Sequence, residues 1–117
     1  MKFNRKVLIL GASSDIGLSI MRIYSEKNYE IIAHYNKGNK NFFNFAKNNK
    51  NVKTIKFNFL TSISKTEKFL KNKIFKNCSI FINASGYIKE MKFTKTKFSD
   101  LVDVLKVNFY PGFLLTQ

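Results

Sequence analysis

The chain alternates short, nearly unbroken apolar runs with longer stretches of helical spacing, and this alternation limits what it can fold into. Val7-Leu8-Ile9-Leu10 is apolar throughout and stops at Gly11. A strand with one solvated face would alternate polar and apolar residues, so a continuous run predicts a strand buried on both faces, as in a parallel sheet. Ile16, Ile20, Ile23 and Tyr24 then recur at helical spacing. Glu30-Ile31-Ile32-Ala33-His34-Tyr35 reads as a second strand. Phe42, Phe43, Phe45 and Ala46 mark a short helix, and Val52, Ile55 and Phe57 a third strand. Thr61 or Ser62 can cap a helix carrying Phe69, Leu70 and Ile74. Ser79-Ile80-Phe81-Ile82 makes a fourth strand ending at Asn83. A last helix carries Phe98, Leu101, Leu105 and Phe109, with Thr96 or Ser99 near its start. Strand and helix strictly alternate, with no internal repeat and no linker. That order predicts a single α/β domain over residues 1–117, with right-handed crossovers and helices on both faces of a parallel sheet.

A doubly wound sheet of this kind is expected to order its strands 3-2-1-4. It binds ligands beyond the carboxyl ends of the strands, near the switch point between strands 1 and 4. Three polar or glycine-bearing segments fall there. Gly11-Ala12-Ser13-Ser14-Asp15-Ile16-Gly17 joins the first strand to the first helix. One glycine permits a tight turn, the other close helix–strand packing, and the free N–H groups at the helix start suit a diphosphate. An ordinary strand-to-helix turn would also read this way. Asn83-Ala84-Ser85-Gly86 follows the fourth strand with small residues that keep a groove open, or simply end the strand. Asn108 lies in an apolar helix, where an amide needs hydrogen-bond partners, and a structural role accounts for it equally. Pro111 removes a backbone donor and predicts a kink.

Taken together, the order and spacing of the three segments resemble the short-chain dehydrogenases/reductases. Leu10-Gly11-Ala12-Ser13-Ser14-Asp15-Ile16-Gly17 is similar to the family's glycine motif, Asn83-Ala84-Ser85-Gly86 to its Asn-Asn-Ala-Gly motif, and residues 105–113 to the helix bearing its tetrad Asn. The resemblance spans essentially the whole chain. It implies a Rossmann-like fold and a dinucleotide cofactor. Gly11, Ser13, Ser14, Asp15, Ile16 and Gly17 would sit at the diphosphate and adenine ribose. Asn58 and Phe59 would lie by the adenine, and Asn83, Ala84, Ser85 and Gly86 by the ribose and nicotinamide. Asn108 would support the proton relay. Five positions depart from the pattern: Leu10 stands where Thr is common, Asp15 replaces a glycine, Asn58 an Asp, Ala84 the second Asn and Ser85 an Ala. Asp15 has a carboxylate able to cap the helix, and it must point away from a diphosphate.

The acid that binds the ribose 2′-hydroxyl in NAD enzymes is expected at the end of strand 2. That stretch reads His34-Tyr35-Asn36-Lys37-Gly38, without a carboxylate. Asn36 and Lys37 are therefore expected to receive a 2′-phosphate, favouring NADP(H) over NAD(H). The family's proton transfer uses a Ser and a Tyr-x-x-x-Lys pair, in which the Lys lowers the Tyr pKa. None of Tyr24, Tyr29, Tyr35, Tyr87 and Tyr110 has Lys four residues on. The expectation is a cofactor-binding part without the catalytic Ser, Tyr and Lys, a truncated version of a longer enzyme acting on a small carbonyl or alcohol. A non-catalytic dinucleotide-binding module is the alternative. Association into homo-oligomers is compatible with either.

Other classes fare worse. The net charge of +14 comes almost entirely from lysines spread along the chain, with Arg5 and Arg22 the exceptions. It reads as a solvated surface rather than a nucleic-acid footprint. His34 is the single histidine, so a multi-histidine metal site is excluded, and it reads as a strand-end residue. Cys78 has no partner for an internal disulfide, fits a reducing compartment, and reads as a small core residue. No apolar run approaches the roughly 18 residues of a membrane span. The basic start before Val7 is followed by too short an apolar stretch for a signal peptide. A cytoplasmic protein is expected.

Overall fold

The computed structural model describes residues 5–88 and 90–117; residues 1–4 of the basic start lie outside them. Four parallel strands form one sheet in the order β3-β2-β1-β4, as the alternation predicts. The strands are β1 (Lys6–Leu10), β2 (Glu30–Tyr35), β3 (Val52–Lys56) and β4 (Ile80–Asn83). Helices α1 (Asp15–Glu26), α2 (Lys40–Asn48) and α3 (Ile63–Leu70) supply the crossovers. Two further helices follow β4: α4 (Phe98–Asn108) and α5 (Tyr110–Leu115).

The two-residue period of the strands divides the core. Val7 and Ile9 of β1 and Ile31 and Ala33 of β2 face one side, against Leu18 and Met21 of α1 and Phe42 of α2. Leu8, Leu10 and Ile32 face the other, against Phe59, Phe75, Phe69 and Leu115. Both central strands are thus buried on both faces, which is why their sequences read as unbroken apolar runs. Cys78 packs at the edge of the second cluster. Burial pushes its thiol pKa up, against an opposing pull from Lys6.

Several local expectations need correction. The spacing in α1 is helical, but its phase is not the one suggested by Ile16 and Ile23, which are 70% and 52% exposed. Gly17, Leu18 and Met21 face the sheet instead. Residue 17 is where the helix touches the turn below it, and only glycine fits there, so glycine rather than isoleucine sets the rotation. Ile74 lies in a separate 3-10 turn, Lys73–Phe75, after α3 has ended. Ser62, not Thr61, caps α3 by accepting from Lys65 N at 3.2 Å. Thr96 and Ser99 do flank the start of α4, and Asp100 reaches back to accept from Lys97 N at 2.9 Å. Pro111 does more than kink the last helix. The chain breaks at Phe109 and restarts as α5 with Pro111 in its first turn, where a missing N–H costs nothing. Phe98 and Leu101 of α4, and Phe109 just after it, are exposed, so much of this apolar spacing faces solvent. Among the described residues, β4 pairs with β1 and carries no strand on its other edge. Ile80, Phe81 and Ile82 along that edge are half-buried.

Candidate functional site

The turn after β1 is built around two glycines with different duties. Gly11 sits at φ +71°, in the left-handed region that side chains avoid. A Cβ there would lie 2.6 Å from Ser85 N and 2.8 Å from the Ala84 carbonyl carbon. The turn therefore rests directly on the backbone leaving β4. A Cβ at Gly17 would lie 2.4 Å from Gly11 O and 2.7 Å from Ala12 Cα, so α1 rests directly on the turn. Ser14 closes the motif. Its hydroxyl donates to Gly11 O at 2.9 Å and accepts from Gly17 N at 3.0 Å, capping α1. The cap is thus Ser14 and not Asp15, which begins the helix with its side chain in solvent.

Side chains then tie the turn to the neighbouring strand exits. Ser13 Oγ donates to Lys37 O at 2.9 Å, and Asn39 Nδ2 donates to Ser13 O at 2.9 Å. Asn39 Oδ1 also accepts from Phe42 N, so one residue caps α2 and anchors the loop between β2 and α2. Asn58 Oδ1 accepts from Leu60 N, turning the chain sharply after β3. Asn83 Oδ1 accepts from Ser85 N at 3.1 Å, and Ala84 N donates to Leu10 O at 2.8 Å, prolonging the β1–β4 ladder.

His34 is the largest surprise. It is 2% exposed, at the end of β2. Gly11 N donates to its Nδ1 at 3.1 Å, and its Nε2 lies 2.8 Å from Phe57 O. An amide N–H can only donate and a carbonyl can only accept. The ring must therefore be the neutral tautomer with its proton on Nε2. Burial lowers its pKa, and the bond to Phe57 O only partly offsets this.

A groove of about 310 Å³ opens across the carboxyl ends of all four strands. From the β3 exit it is lined by Asn58, Phe59 and Leu60, then by His34, Asn36 and Lys37 after β2. Gly11, Ser13 and Ser14 line it beyond β1, and Ala84, Ser85, Gly86 and Tyr87 after β4, with Val107 of α4. Ten of the sequence-derived candidates meet here. Five do not line it. Asp15 and Ile16 point to solvent, Gly17 is buried beneath the turn, and Asn83 works through its turn bonds. Asn108 lies on the far side of Gly86, by a separate hollow formed with Tyr87, Ile88 and Val104. Its Nδ2 donates to Tyr87 O at 2.7 Å and Val104 O at 2.9 Å, and its Oδ1 accepts from Tyr87 N at 3.3 Å. Asn83 Nδ2 donates to Asn108 O at 3.3 Å. The two asparagines thus clasp α4 to the loop after β4. The sequence reading missed His34, Leu60, Tyr87 and Val107 as lining residues. For His34 a signal existed: a polar residue closing the run Ile31-Ile32-Ala33.

Solved structures share this fold. The short-chain dehydrogenase/reductase from Serratia marcescens superposes with a TM-score of 0.79 at 17% identity, over 98% of this chain and 49% of that one. The fold is that of half a short-chain dehydrogenase/reductase. Cj0485 dehydrogenase gives 0.78 at 16% identity, over 97% of this chain and 45% of its own. BdcA, solved in complex with NADPH, gives 0.79 at 15% identity, with the same coverage as Cj0485 dehydrogenase. The chain spans about half the length of the structures it matches. No family model matches the sequence, and no curated protein is similar to it. Among the described residues, no helix is long and apolar enough to cross a membrane.

Proposed function

We propose that residues 1–117 form a partial NAD(P)-binding domain, the cofactor-binding part of an oxidoreductase of the short-chain dehydrogenase/reductase type. The observation that carries this reading is the convergence of Gly11, Ser13 and Ser14, Asn36 and Lys37, and Ala84, Ser85 and Gly86 on one groove at the switch point between β1 and β4. The protein's own packing fits such a ligand. Gly11 and Gly17 bring the turn, α1 and the β4 exit into backbone contact. By contrast, a Cβ at Gly86 would meet only Asn108 Oδ1 at 3.7 Å, so packing does not demand glycine there and its bareness serves the groove.

In this reading the adenosine half lies over the exits of β2 and β3, by Asn58 and Phe59. The diphosphate meets the free N–H groups at the start of α1, with Ser13, Ser14, Asp15 and Ile16 around it. The exposed Asp15 carboxylate turns outward and avoids repelling it. The ribose and nicotinamide lie by Asn83, Ala84, Ser85 and Gly86. When bound, the nicotinamide supplies hydride exchange with a carbonyl carbon. Asn108 acts by holding the loop that borders the nicotinamide end. The substrate is a small carbonyl or alcohol. No tyrosine here has Lys four residues on, so the 117-residue chain by itself is expected to show no hydride transfer. NADPH-dependent carbonyl turnover by the purified chain would contradict this.

Calorimetric titration tests the binding claim. The chain is expected to bind NADP+ more tightly than NAD+, and either more tightly than a DNA duplex of equal charge concentration. Lys37 is the exposed cation where a 2′-phosphate would fall. Lys37→Ala is expected to weaken NADP+ binding about tenfold, or ~1.4 kcal/mol, while leaving NAD+ within about twofold. Absence of dinucleotide binding would overturn the proposal. Equal loss for both cofactors would remove Lys37 from the phosphate site.

A further inference from the structure

Of the titratable residues lining the groove, His34, Lys37 and Tyr87, only His34 is fully buried, and the cofactor assignment leaves it without a task. We propose that His34 is a positioning residue for dinucleotide binding: as the neutral imidazole it pins the Gly11 turn to the β3 exit, and protonating the ring undoes the groove. This rests on the dinucleotide reading above and adds a pH dependence to it.

The geometry leaves the ring one working state. Nδ1 must accept from Gly11 N and Nε2 must donate to Phe57 O. A proton added to Nδ1 would face the Gly11 N–H, donor against donor. The turn has little room to yield, because Gly11 already lies against the Ser85 and Ala84 backbone. Turning the ring over offers no escape, since a cationic ring is a donor at both nitrogens. The ring is also boxed in by aromatic neighbours, Phe59 at 4.6 Å and Phe69 of α3 at 6.2 Å between centroids.

Among the described residues, those packed on the ring supply no counter-charge. Ile55 is its register partner in β3, Phe57 and Phe59 follow that strand, Gly11 faces it from β1, and Phe69 from α3. None of these carries a titratable group. Around the groove the ionisable neighbours are Lys37, a cation that disfavours a second positive charge, and Tyr87. The folded-state pKa is lowered from 6.5, mainly by burial. The neutral ring's contribution to folding is therefore complete above pH 6.5 and declines as pH falls toward the lower folded-state value, whereas in the folded chain the ring keeps its bonds until pH passes below that value.

The sign separates this role from direct contact. A histidine that met the diphosphate as a cation would bind dinucleotide more tightly as pH fell. A neutral pin predicts weaker binding. NAD+ is the probe, because it lacks the titrating 2′-phosphate, and circular dichroism checks that the chain stays folded from pH 8 to pH 4.5. The expected NAD+ affinity is flat from pH 8 through 6.5 and falls only below the ring's own folded-state pKa, which burial holds under 6.5, with a limiting slope of about tenfold per pH unit for one proton. Nitrogen-15 spectra of the ring should show the Nε2–H tautomer at pH 7. His34→Asn, which cannot gain a proton, should bind more weakly at pH 8 and lose the acid dependence. Affinity that rises or stays level on acidification, a proton on Nδ1 at pH 7, or an unchanged acid limb in His34→Asn would each overturn the role. If His34→Asn does not fold, the wild-type profile and the ring spectra decide. Failure of NAD+ and NADP+ to bind at pH 8 would overturn the dinucleotide reading and this role with it, whereas binding at pH 8 with no acid loss overturns this role alone.

Discussion

Gly11→Ala is expected to abolish measurable NADP+ binding and to destabilise the fold by about 3 kcal/mol. Two costs combine. Holding an L side chain in the left-handed region costs roughly 1–2 kcal/mol. The new Cβ would also meet backbone atoms of Ala84 and Ser85 at 2.6–2.8 Å, and backbone cannot swing aside as a side chain can. Relief requires parting the β1 turn from the β4 exit, and both form walls of the groove. The same shift strains the Gly11–His34 bond. Urea unfolding reads the first effect and NADP+ titration the second. A variant as stable as the parent that still binds would show that the turn is more yielding than its contacts imply.

Phe42→Ala carries the other large effect, expected at about 3–5 kcal/mol, as for large-to-small changes at packed core aromatics. The ring is fully buried. It joins α2 to the Val7, Ile9, Ile31 and Ala33 face of the sheet, with ring centroids 5.0 Å from Tyr35 and 5.4 Å from Phe43. Phe93→Ala is the matched control. That ring is 92% exposed, so its loss is expected to fall within about 0.5 kcal/mol of zero. Urea midpoints for the pair measure the contrast, with slopes unchanged if the unfolded states are alike. Comparable losses in both would mean that the residues after β4 pack against something the described residues do not include.

Much of the architecture was legible because strand burial writes itself directly into sequence. Val7-Leu8-Ile9-Leu10 and Ile31-Ile32-Ala33 are apolar without interruption since each strand is covered on both faces, and parallel order with right-handed crossovers leaves little freedom in strand placement. The groove's glycines and asparagines were legible for a related reason, as they stand where strands end. The rotation of α1 was not, because hydrophobic spacing gives a helix its period but not its phase when a glycine makes the closest contact. The choice of Ser14 over Asp15 as cap turned on one residue of offset, below what propensity resolves. The place of His34 at a strand end was legible from the run it closes, but its bonding was not, because its two partners are backbone groups, Gly11 N–H and Phe57 O, which leave no trace in a pattern of side chains. The exposure of Phe98 and Leu101 on α4 was not legible, because spacing records an apolar face and not what covers it.

Amide chemical-shift mapping during NADP+ titration is the most direct test that a dinucleotide lies against the start of α1. The expected result is saturable shifts concentrated at Gly11, Ser13, Ser14, Asp15 and Ile16, with Lys37 and Ala84, Ser85 and Gly86 moving in the same titration. Contradiction would come from saturating shifts confined to the opposite end of the sheet, at Asn28, Asn51 and Cys78, or from no shift at millimolar NADP+ in a chain whose spectrum shows it folded.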